Sequence, residues 1–308
     1  MEKIYFSIII VTYNRAHLIK RAINSILNQD FTSFELLIED DGSTDNTEEI
    51  VRSFNNDQIF YYKDKQNRGS FTAKNRAVKR VKGQYIMFLD SDDEFLPGAL
   101  HIIAKRIKEE KENYKQFSFL QKTYSKNGIK MPPKYFMENV KEISYYDSLL
   151  GKYNDIYTQN VISSEIKESI VFEETLIGGY LSLLWLDLKR KFGPSRINPD
   201  IVKIYHRDNE DTITKALTKN IKKIIKNRAI QSSLFLQKFG EDMLKINSPR
   251  YTFESLRAAE NFLLLKEPEK ARTFLSELII NKKANLKTYL YLIICFLLNL
   301  IYKNSREK

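Results

Sequence analysis

Hydrophobic and polar positions follow two alternating periods along the first hundred residues. Ile4–Val11 is an apolar run broken only by Ser7 and predicts a buried strand. Over His17–Asn28, Leu18, Ala22 and Ile26 recur at helical spacing beside Ile19, Ile23 and Leu27, and Glu35–Glu39 is extended again. The cycle then repeats. Asp45–Phe54 reads as a helix capped by Ser43 or Thr44, Ile59–Lys63 as a strand, Thr72–Val81 as a helix and Tyr85–Leu89 as a strand. Buried strands alternating with helices predict an α/β fold, Rossmann-like, with a mainly parallel sheet flanked by helices. Ligands of such sheets bind at the carboxyl ends of the strands.

Beyond residue 113 the texture is less regular. Phe117–Tyr124, Ile156–Ile162 and Ile201–His206 read as extended, and Gly178–Lys191 as a helix around Trp185. From Thr214 the pattern is helical throughout. Leu256, Ala259, Phe262 and Leu263 form one stripe, and Ala271, Phe274, Leu275 and Leu278 form another beyond Pro268. This pair resembles a single helical hairpin without further copies. The expected organisation is an α/β domain over 1–212, built as two halves at 1–112 and 113–212, followed by a basic α-helical region over 213–308.

Composition sharpens this division. The 308 residues carry a formal charge of +11, and residues 213–308, with 19 basic and 8 acidic side chains, hold the whole excess. Residues 1–212 are balanced at 31 of each. No zinc-finger spacing or aromatic RNA-binding motif accompanies the charge, so nucleic acid is not the expected partner. The single cysteine, Cys295, lies in an apolar run and reads as a buried thiol in a reducing compartment. Ile4–Val11 is too short to span a bilayer and is followed by Thr12-Tyr13-Asn14-Arg15 rather than a small-residue cleavage site, so the expected location is cytoplasmic.

Three polar clusters follow strands. They are Thr12-Tyr13-Asn14-Arg15, Asp40-Asp41-Gly42-Ser43-Thr44-Asp45 and Asp90-Ser91-Asp92-Asp93. Clustered carboxylates at a strand end are costly unless a cation or donor meets them. Asp90 and Asp92, two apart, can share one side of an extended segment, one toward a ribose hydroxyl and one toward Mg²⁺ or Mn²⁺ bridging to a substrate diphosphate. A solvated acidic turn ahead of the helix near Pro97 is the alternative reading of the triplet alone.

The ordered set Ile8–Arg15, Phe34–Asp45, Asn67-Arg68-Gly69 with Ala73-Lys74-Asn75, and Gly83–Asp93 closely resembles the family-2 glycosyltransferases over about the first 100 residues. The resemblance implies a GT-A fold and inverting, metal-dependent transfer of a sugar from a nucleoside diphosphate sugar, with UDP as the expected nucleotide. It implies an acceptor that is a glycan or lipid-linked glycan, in cell-surface polysaccharide or glycoconjugate synthesis. Val11, Thr12, Tyr13 and Arg15 would line the nucleotide pocket, and Asp41 would accept a hydrogen bond from a uracil-type N–H. Lys74 and Asn75 would lie beside the nucleotide, Asp90 and Ser91 by the ribose or metal, and Asp92 on the metal at the diphosphate. Asp41 as a helix cap and Asn75 as helix surface are the structural alternatives. A sugar nucleotidyltransferase would open with a Gly-rich phosphate loop, and Ile8–Arg15 contains no glycine.

The resemblance makes 1–112 the nucleotide-sugar half and 113–212 the acceptor half, and the acceptor half departs from the family pattern. Phe172–Gly179 and Leu184-Trp185-Leu186 resemble the family's acceptor segment, but the Glu-Asp pair that supplies its general base reads Tyr180-Leu181 here. A tyrosine of ordinary pKa is a poor base at neutral pH and leucine is none. Glu173, Glu174 and Asp187 are the candidates to replace it. The competing reading is a sugar-nucleotide-binding protein with impaired transfer. His206 falls where some family members place a histidine near the metal or diphosphate, and a structural histidine is its alternative.

Near the end of the chain, Lys282, Lys283 and Lys287 precede the apolar run Tyr289–Leu298, and Lys219, Lys222, Lys223, Lys226 and Arg228 form a cluster further upstream. The run reads either as a buried core helix or as an interfacial helix on an anionic membrane, which would make the protein peripheral at the inner face.

Overall fold

The computed structural model describes residues 4–110, 113–134, 138–153, 158–177, 182–207 and 220–304. The chain divides into two compact units. The first comprises Met1–Ser148, Tyr153–Glu174 and Leu181–Glu210, and the second Leu149–Lys152, Thr175–Tyr180 and Asp211–Lys308.

The first unit begins β1 (Phe6–Thr12), α1 (Ala16–Leu27), β2 (Phe34–Asp40), α2 (Thr47–Arg52), β3 (Ile59–Lys63), α3 (Ser70–Arg80) and β4 (Tyr85–Phe88). A short β5 (Glu94–Phe95), α4 (Ala99–Glu109), β6 (Gln116–Ser125), β7 (Gly128–Lys130), β8 (Glu142–Ile143) and α5 (Tyr145–Leu149) follow. It continues with β9 (Thr158–Ser163), a 3-10 turn at Ser164–Ser169, α6 (Ser182–Phe192) and β10 (Ser195–His206). These strands form one sheet in the order β3-β2-β1-β4-β9-β6-β10-β5, with β7 beside β6 and β8 beside β10. β3, β2, β1 and β4 pair in parallel, β9 runs antiparallel to both β4 and β6, and β10 is parallel to β6. All the longer strands except β9 therefore point the same way, as the alternating pattern predicts. The reversal at β9 is not visible in that pattern.

Side-chain alternation assigns the two faces. Phe6, Ile8 and Ile10 of β1 and Leu36 and Ile38 of β2 join Ile19, Ala22, Ile23 and Ile26 of α1, Val51 of α2 and Leu100, Ile103 and Ile107 of α4 in one cluster. Full burial of each such side chain contributes roughly 1.5–3 kcal/mol, which fixes the register of these strands against a one-residue slip. The opposite face is polar where α3 crosses it. Glu39 of β2, almost fully buried, pairs with Arg80 at 2.9 Å and Arg76 at 3.3 Å. Burial pushes the Glu39 carboxyl up, against the pull of Arg80 and Arg76. Ser7 and Glu35 share that face and receive the Gly83 and Lys82 N–H groups, at 2.8 and 2.7 Å respectively.

The second unit holds α7 (Ile221–Lys245), α8 (Pro249–Leu264), α9 (Pro268–Ile280) and α10 (Leu286–Asn304). Asn220 caps α7 through the Lys223 N–H, Ser248 caps α8 through the Arg250 N–H, and Pro249 and Pro268 occupy first turns where no N–H is needed. α8 packs on both α7 and α9, with Phe262 stacked on Phe274 at 5.8 Å, so the hairpin expected around Pro268 is present. α10 is neither wholly buried nor wholly exposed. Thr288 and Cys295 face inward, the thiol pushed up by burial, while Leu286, Tyr289, Leu290, Ile293, Phe296 and Leu297 are each at least half exposed. That outer stripe corrects the reading of a buried core helix. Among the described residues no helix is long and apolar enough to cross a membrane.

Candidate active site at the strand ends

The parallel register brings Thr12, Asp40 and Lys63 level, so the loops after β1, β2 and β3 meet at one edge of the sheet. The carboxylates of Asp40-Asp41-Gly42-Ser43-Thr44-Asp45 divide the work of holding them. Asp40 accepts the Ser43 N–H at 2.7 Å and the Tyr61 hydroxyl at 2.5 Å. Burial, with Asp40 next to it, raises the Tyr61 hydroxyl and keeps it protonated. Asp41, 2% exposed, accepts the Arg68 and Gly69 N–H groups at 3.1 and 2.7 Å, which ties the loop before α3 to the end of β2.

Gly42 makes that approach feasible. It sits at φ +83°, and a Cβ there would lie 2.7 Å from the Gln66 carbonyl carbon. Asp45 corrects the capping expectation. It accepts the Ala16 N–H at 3.0 Å and the Thr47 N–H at 3.1 Å, so one carboxylate begins both α1 and α2, and Ser43 and Thr44 bond to Asn14 instead. Burial alone would raise Asp45, but the hydrogen bonds from Thr47 and Ala16 outweigh it and hold the carboxyl below its ordinary value.

Along β1, Val11 is half-buried and Thr12 buried, its hydroxyl without a protein partner. The Tyr13 ring is 42% exposed. The Arg15 N–H donates to Thr47 Oγ1 at 3.1 Å. The expected lining residues thus reach the same edge as Asp41.

The acidic turn after β4 is held from α1 and from β10. Arg21 of α1 donates to the Asp92 carbonyl, Ser91 is buried, and the Asp90 side chain is 58% exposed. Asp93 is fully buried, accepts the His206 N–H at 3.0 Å and pairs with Lys203 Nζ at 3.0 Å. Burial pushes the Asp93 carboxyl up and Asp90 and Asp92 add to that, while Lys203 pulls it down. Lys203 keeps its proton: burial lowers its pKa, but Asp93 and Asp90 raise it by more. β5, which begins one residue after Asp93, pairs antiparallel with β10 and sets this geometry. It also places Glu94 2.8 Å from His206 Nε2, so the histidine is engaged by a carboxylate in this structure. Among the described residues no three His, Cys, Asp or Glu side chains converge as a ready-made metal cage.

Lys74 is nearly buried. Its Nζ lies 5.6 and 5.7 Å from the ring centres of Phe88 and Phe172 and 3.9 Å from Asp90 Oδ1. Asn75 reaches the acceptor segment directly. Its Nδ2 donates to the Phe172 carbonyl at 2.9 Å and to Glu174 Oε1 at 2.8 Å, and its Oδ1 accepts the Phe172 N–H at 2.8 Å. The bond from Asn75 holds the Glu174 carboxyl below its ordinary value. Glu173 is half-buried in the same segment. Asp187 lies on α6, where Lys191 one turn on engages it at 2.8 Å. Tyr180 and Leu181 lie outside the described residues. Arg21, Asp93, Glu94, Lys203 and Phe172 are supporting residues that sequence reasoning did not single out. Of these, Asp93 carried a signal as the fourth residue of the acidic turn, and Phe172 as the first residue of the acceptor-like segment.

The family model for glycosyl transferase family 2 matches residues 7–164, the stretch that carries these strand-end loops. The chain belongs to that family. The glycosyltransferase is 30% identical over 228 residues to the GalNAc(5)-diNAcBac-PP-undecaprenol beta-1,3-glucosyltransferase of Campylobacter jejuni, covering 70% of this chain and 68% of that one. It is 27% identical to the Escherichia coli UDP-Glc:alpha-D-GlcNAc-diphosphoundecaprenol beta-1,3-glucosyltransferase WfgD, covering 72% of this chain and 85% of that one. Among solved structures it resembles S. aureus TarS 1–349 in complex with UDP-GlcNAc, with a TM-score of 0.63 at 20% identity, covering 94% of this chain and 79% of that one. The glycosyltransferase has the GT-A fold expected from its motifs.

Proposed function

We propose that the glycosyltransferase moves a hexose from a UDP-sugar to a hydroxyl of a lipid-linked glycan, with inversion at the anomeric carbon. What supports this reading is that Thr12, Tyr13, Asp41, Asp90 and Asp92 end or follow the parallel strands β1, β2 and β4, and that Lys74 of α3 lies 3.9 Å from Asp90. The named activities of the Campylobacter and Escherichia relatives supply the acceptor class, and the UDP-GlcNAc complex of TarS supplies the donor class.

In this reading the exposed Tyr13 ring and Asp41 contact the base, and Asp90 the ribose. Mg²⁺ or Mn²⁺ fits the donor set on chemical grounds, because hard carboxylate oxygens at a strand end leave most of the coordination shell to substrate phosphate and water, which suits Mg²⁺ in particular. Asp92, with Asp90, would hold it, and when bound it would neutralise charge on the departing diphosphate. His206, engaged by Glu94, is not needed for that set. Lys74, held close to Asp90 by two rings, adds a fixed positive charge on the same side.

The acceptor hydroxyl loses its proton to a carboxylate as its oxygen bonds to the anomeric carbon. The bond from that carbon to the diphosphate oxygen breaks, and its electron pair leaves with UDP. We assign the base to the segment anchored by Asn75. The bond from Asn75 weakens Glu174 as a proton acceptor relative to an ordinary carboxyl, and Glu173 stands next to it in the same segment, half-buried, so Glu173 is the first residue to test. The outer apolar stripe of α10 and its flanking lysines support peripheral docking on an anionic membrane, where such acceptors reside.

The test is hydrolysis and transfer across a panel of nucleotide sugars with undecaprenyl-diphosphate glycans. A UDP-sugar should be consumed only when divalent metal is present, Asp92→Ala should lose at least a hundredfold in turnover, and Glu173→Gln should lose transfer while keeping UDP affinity. Full turnover in EDTA would remove the metal role. UDP binding without turnover on any acceptor would favour the binding-protein reading that Tyr180-Leu181 suggests.

A further inference from the structure

The helical unit contains a groove lined by none of the residues assigned above to transfer. It is a cavity of about 350 Å³ lined from α7, α8 and the first turn of α10. Three cations, Arg228, Arg257 and Lys287, line it with one carboxylate, Glu260, and Arg257 also lies 3.8 Å from the buried Glu254, so three positive charges face two negative ones. Arg257 is oriented by Gln231, whose Oε1 accepts from Nη2 at 3.0 Å, and Lys287 lies 3.5 Å from Glu260. A hydrogen bond with Tyr291 holds the Lys287 ammonium up in pKa. Phe253 and Leu264 line the same groove and are 60% and 61% exposed. They are three helical turns apart on α8, hence on one side of it. Lys287 also lies in the first turn of α10, on which Leu286, Leu290, Ile293 and Leu297 are exposed.

Cations and large apolar side chains exposed together have a specific chemical complement. A bare anion would leave Phe253 and Leu264 in water, and a neutral hydrocarbon would leave a net positive groove uncompensated. An amphiphile with an anionic phosphate head satisfies both. The cavity is at the small end of ligand sites, enough for a head group and the start of a chain.

We propose that this groove binds the phosphate head of an anionic membrane lipid. Arg228, Arg257 and Lys287 meet the phosphate, and Phe253 and Leu264 meet the first carbons of the chain. The inference rests on the membrane reading above and adds a specific lipid contact to it.

The test uses the full chain and two probes. Calorimetric titration with dihexanoylphosphatidylglycerol below its critical micelle concentration reads the groove, and flotation with phosphatidylglycerol vesicles at low salt reads the α10 stripe. Saturable binding of the monomeric lipid is expected, at least tenfold weaker in Arg228→Ala/Lys287→Ala and in Phe253→Ser, all exposed or half-buried positions with unchanged melting expected. Glycerol phosphate and dihexanoylphosphatidylcholine should each bind at least tenfold more weakly. Ile293→Ser/Phe296→Ser should lose vesicle flotation and keep monomer binding within about twofold. Absence of saturation, equal binding of glycerol phosphate or of the choline lipid, or unchanged affinity in the groove variants overturns the proposal. Failure of the intact chain to float, with monomer binding intact, instead overturns the membrane reading alone.

Discussion

Replacing Asn75 with alanine tests how the acceptor segment is held. The amide makes three hydrogen bonds, two with the Phe172 backbone and one with Glu174, at 2.8 to 2.9 Å. A net 0.5–1.5 kcal/mol for each of the three gives about 1.5–4.5 kcal/mol against local opening of this segment, since alanine replaces none of them. With a tenfold change per 1.4 kcal/mol, amide exchange in a peptide covering residues 170–177 should accelerate about tenfold or more, measured by mass spectrometry. Asn75→Asp sharpens the test. It still accepts the Phe172 N–H but turns an oxygen toward both the Phe172 carbonyl and the Glu174 carboxylate, so at neutral pH it should exchange faster than the alanine variant. Unchanged exchange in Asn75→Ala, or an aspartate variant no worse than alanine, refutes the anchoring role.

Other expectations follow from the same loops. Gly42→Ala places a Cβ 2.7 Å from backbone at a positive φ, and urea unfolding should show a loss of about 2 kcal/mol or more, together with weaker UDP binding. Asp45→Ala removes the cap of two helices and should cost about 1–3 kcal/mol at pH 7 by the same measurement. Because the folded Asp45 carboxyl is held below its unfolded value, its contribution is complete above the ordinary carboxylate range near pH 4 and is lost as pH falls through the lower folded value. Stability of Asp45→Ala should therefore converge on that of the unsubstituted protein as pH falls below the ordinary carboxylate range. A gap that stays constant from pH 7 to well below that range would count against the assignment.

The first hundred residues announce their fold because buried parallel strands must be apolar along their whole length, and few other patterns produce such runs between helical ones. The candidate site is legible in residue type and place, since polar clusters immediately after such runs have only the strand ends to occupy. What each carboxylate does is not legible. Asp40, Asp41 and Asp45 are chemically alike, yet one braces its own turn, one ties down a loop 27 residues on, and one starts two helices. Asn75 and Phe172 meet across 97 residues, and no local pattern encodes that contact. The direction of β9 is hidden for a related reason. Period and burial are the same for either strand sense, and only the connections around it decide which way it runs.

The placement of β9 also bears on how the enzyme can be divided. β4 closes the run of strands built from the first 112 residues, and its outer edge is covered by β9, which the chain supplies more than sixty residues later. A fragment cut after the nucleotide-proximal half would carry every motif of the donor site and still present a raw, hydrogen-bond-hungry edge along Tyr85–Met87. Such a piece is expected to stick to copies of itself during synthesis. Split reporters, domain transplants and minimal donor-binding fragments drawn from this scaffold should therefore keep Thr158–Ser163, even where the acceptor chemistry is unwanted.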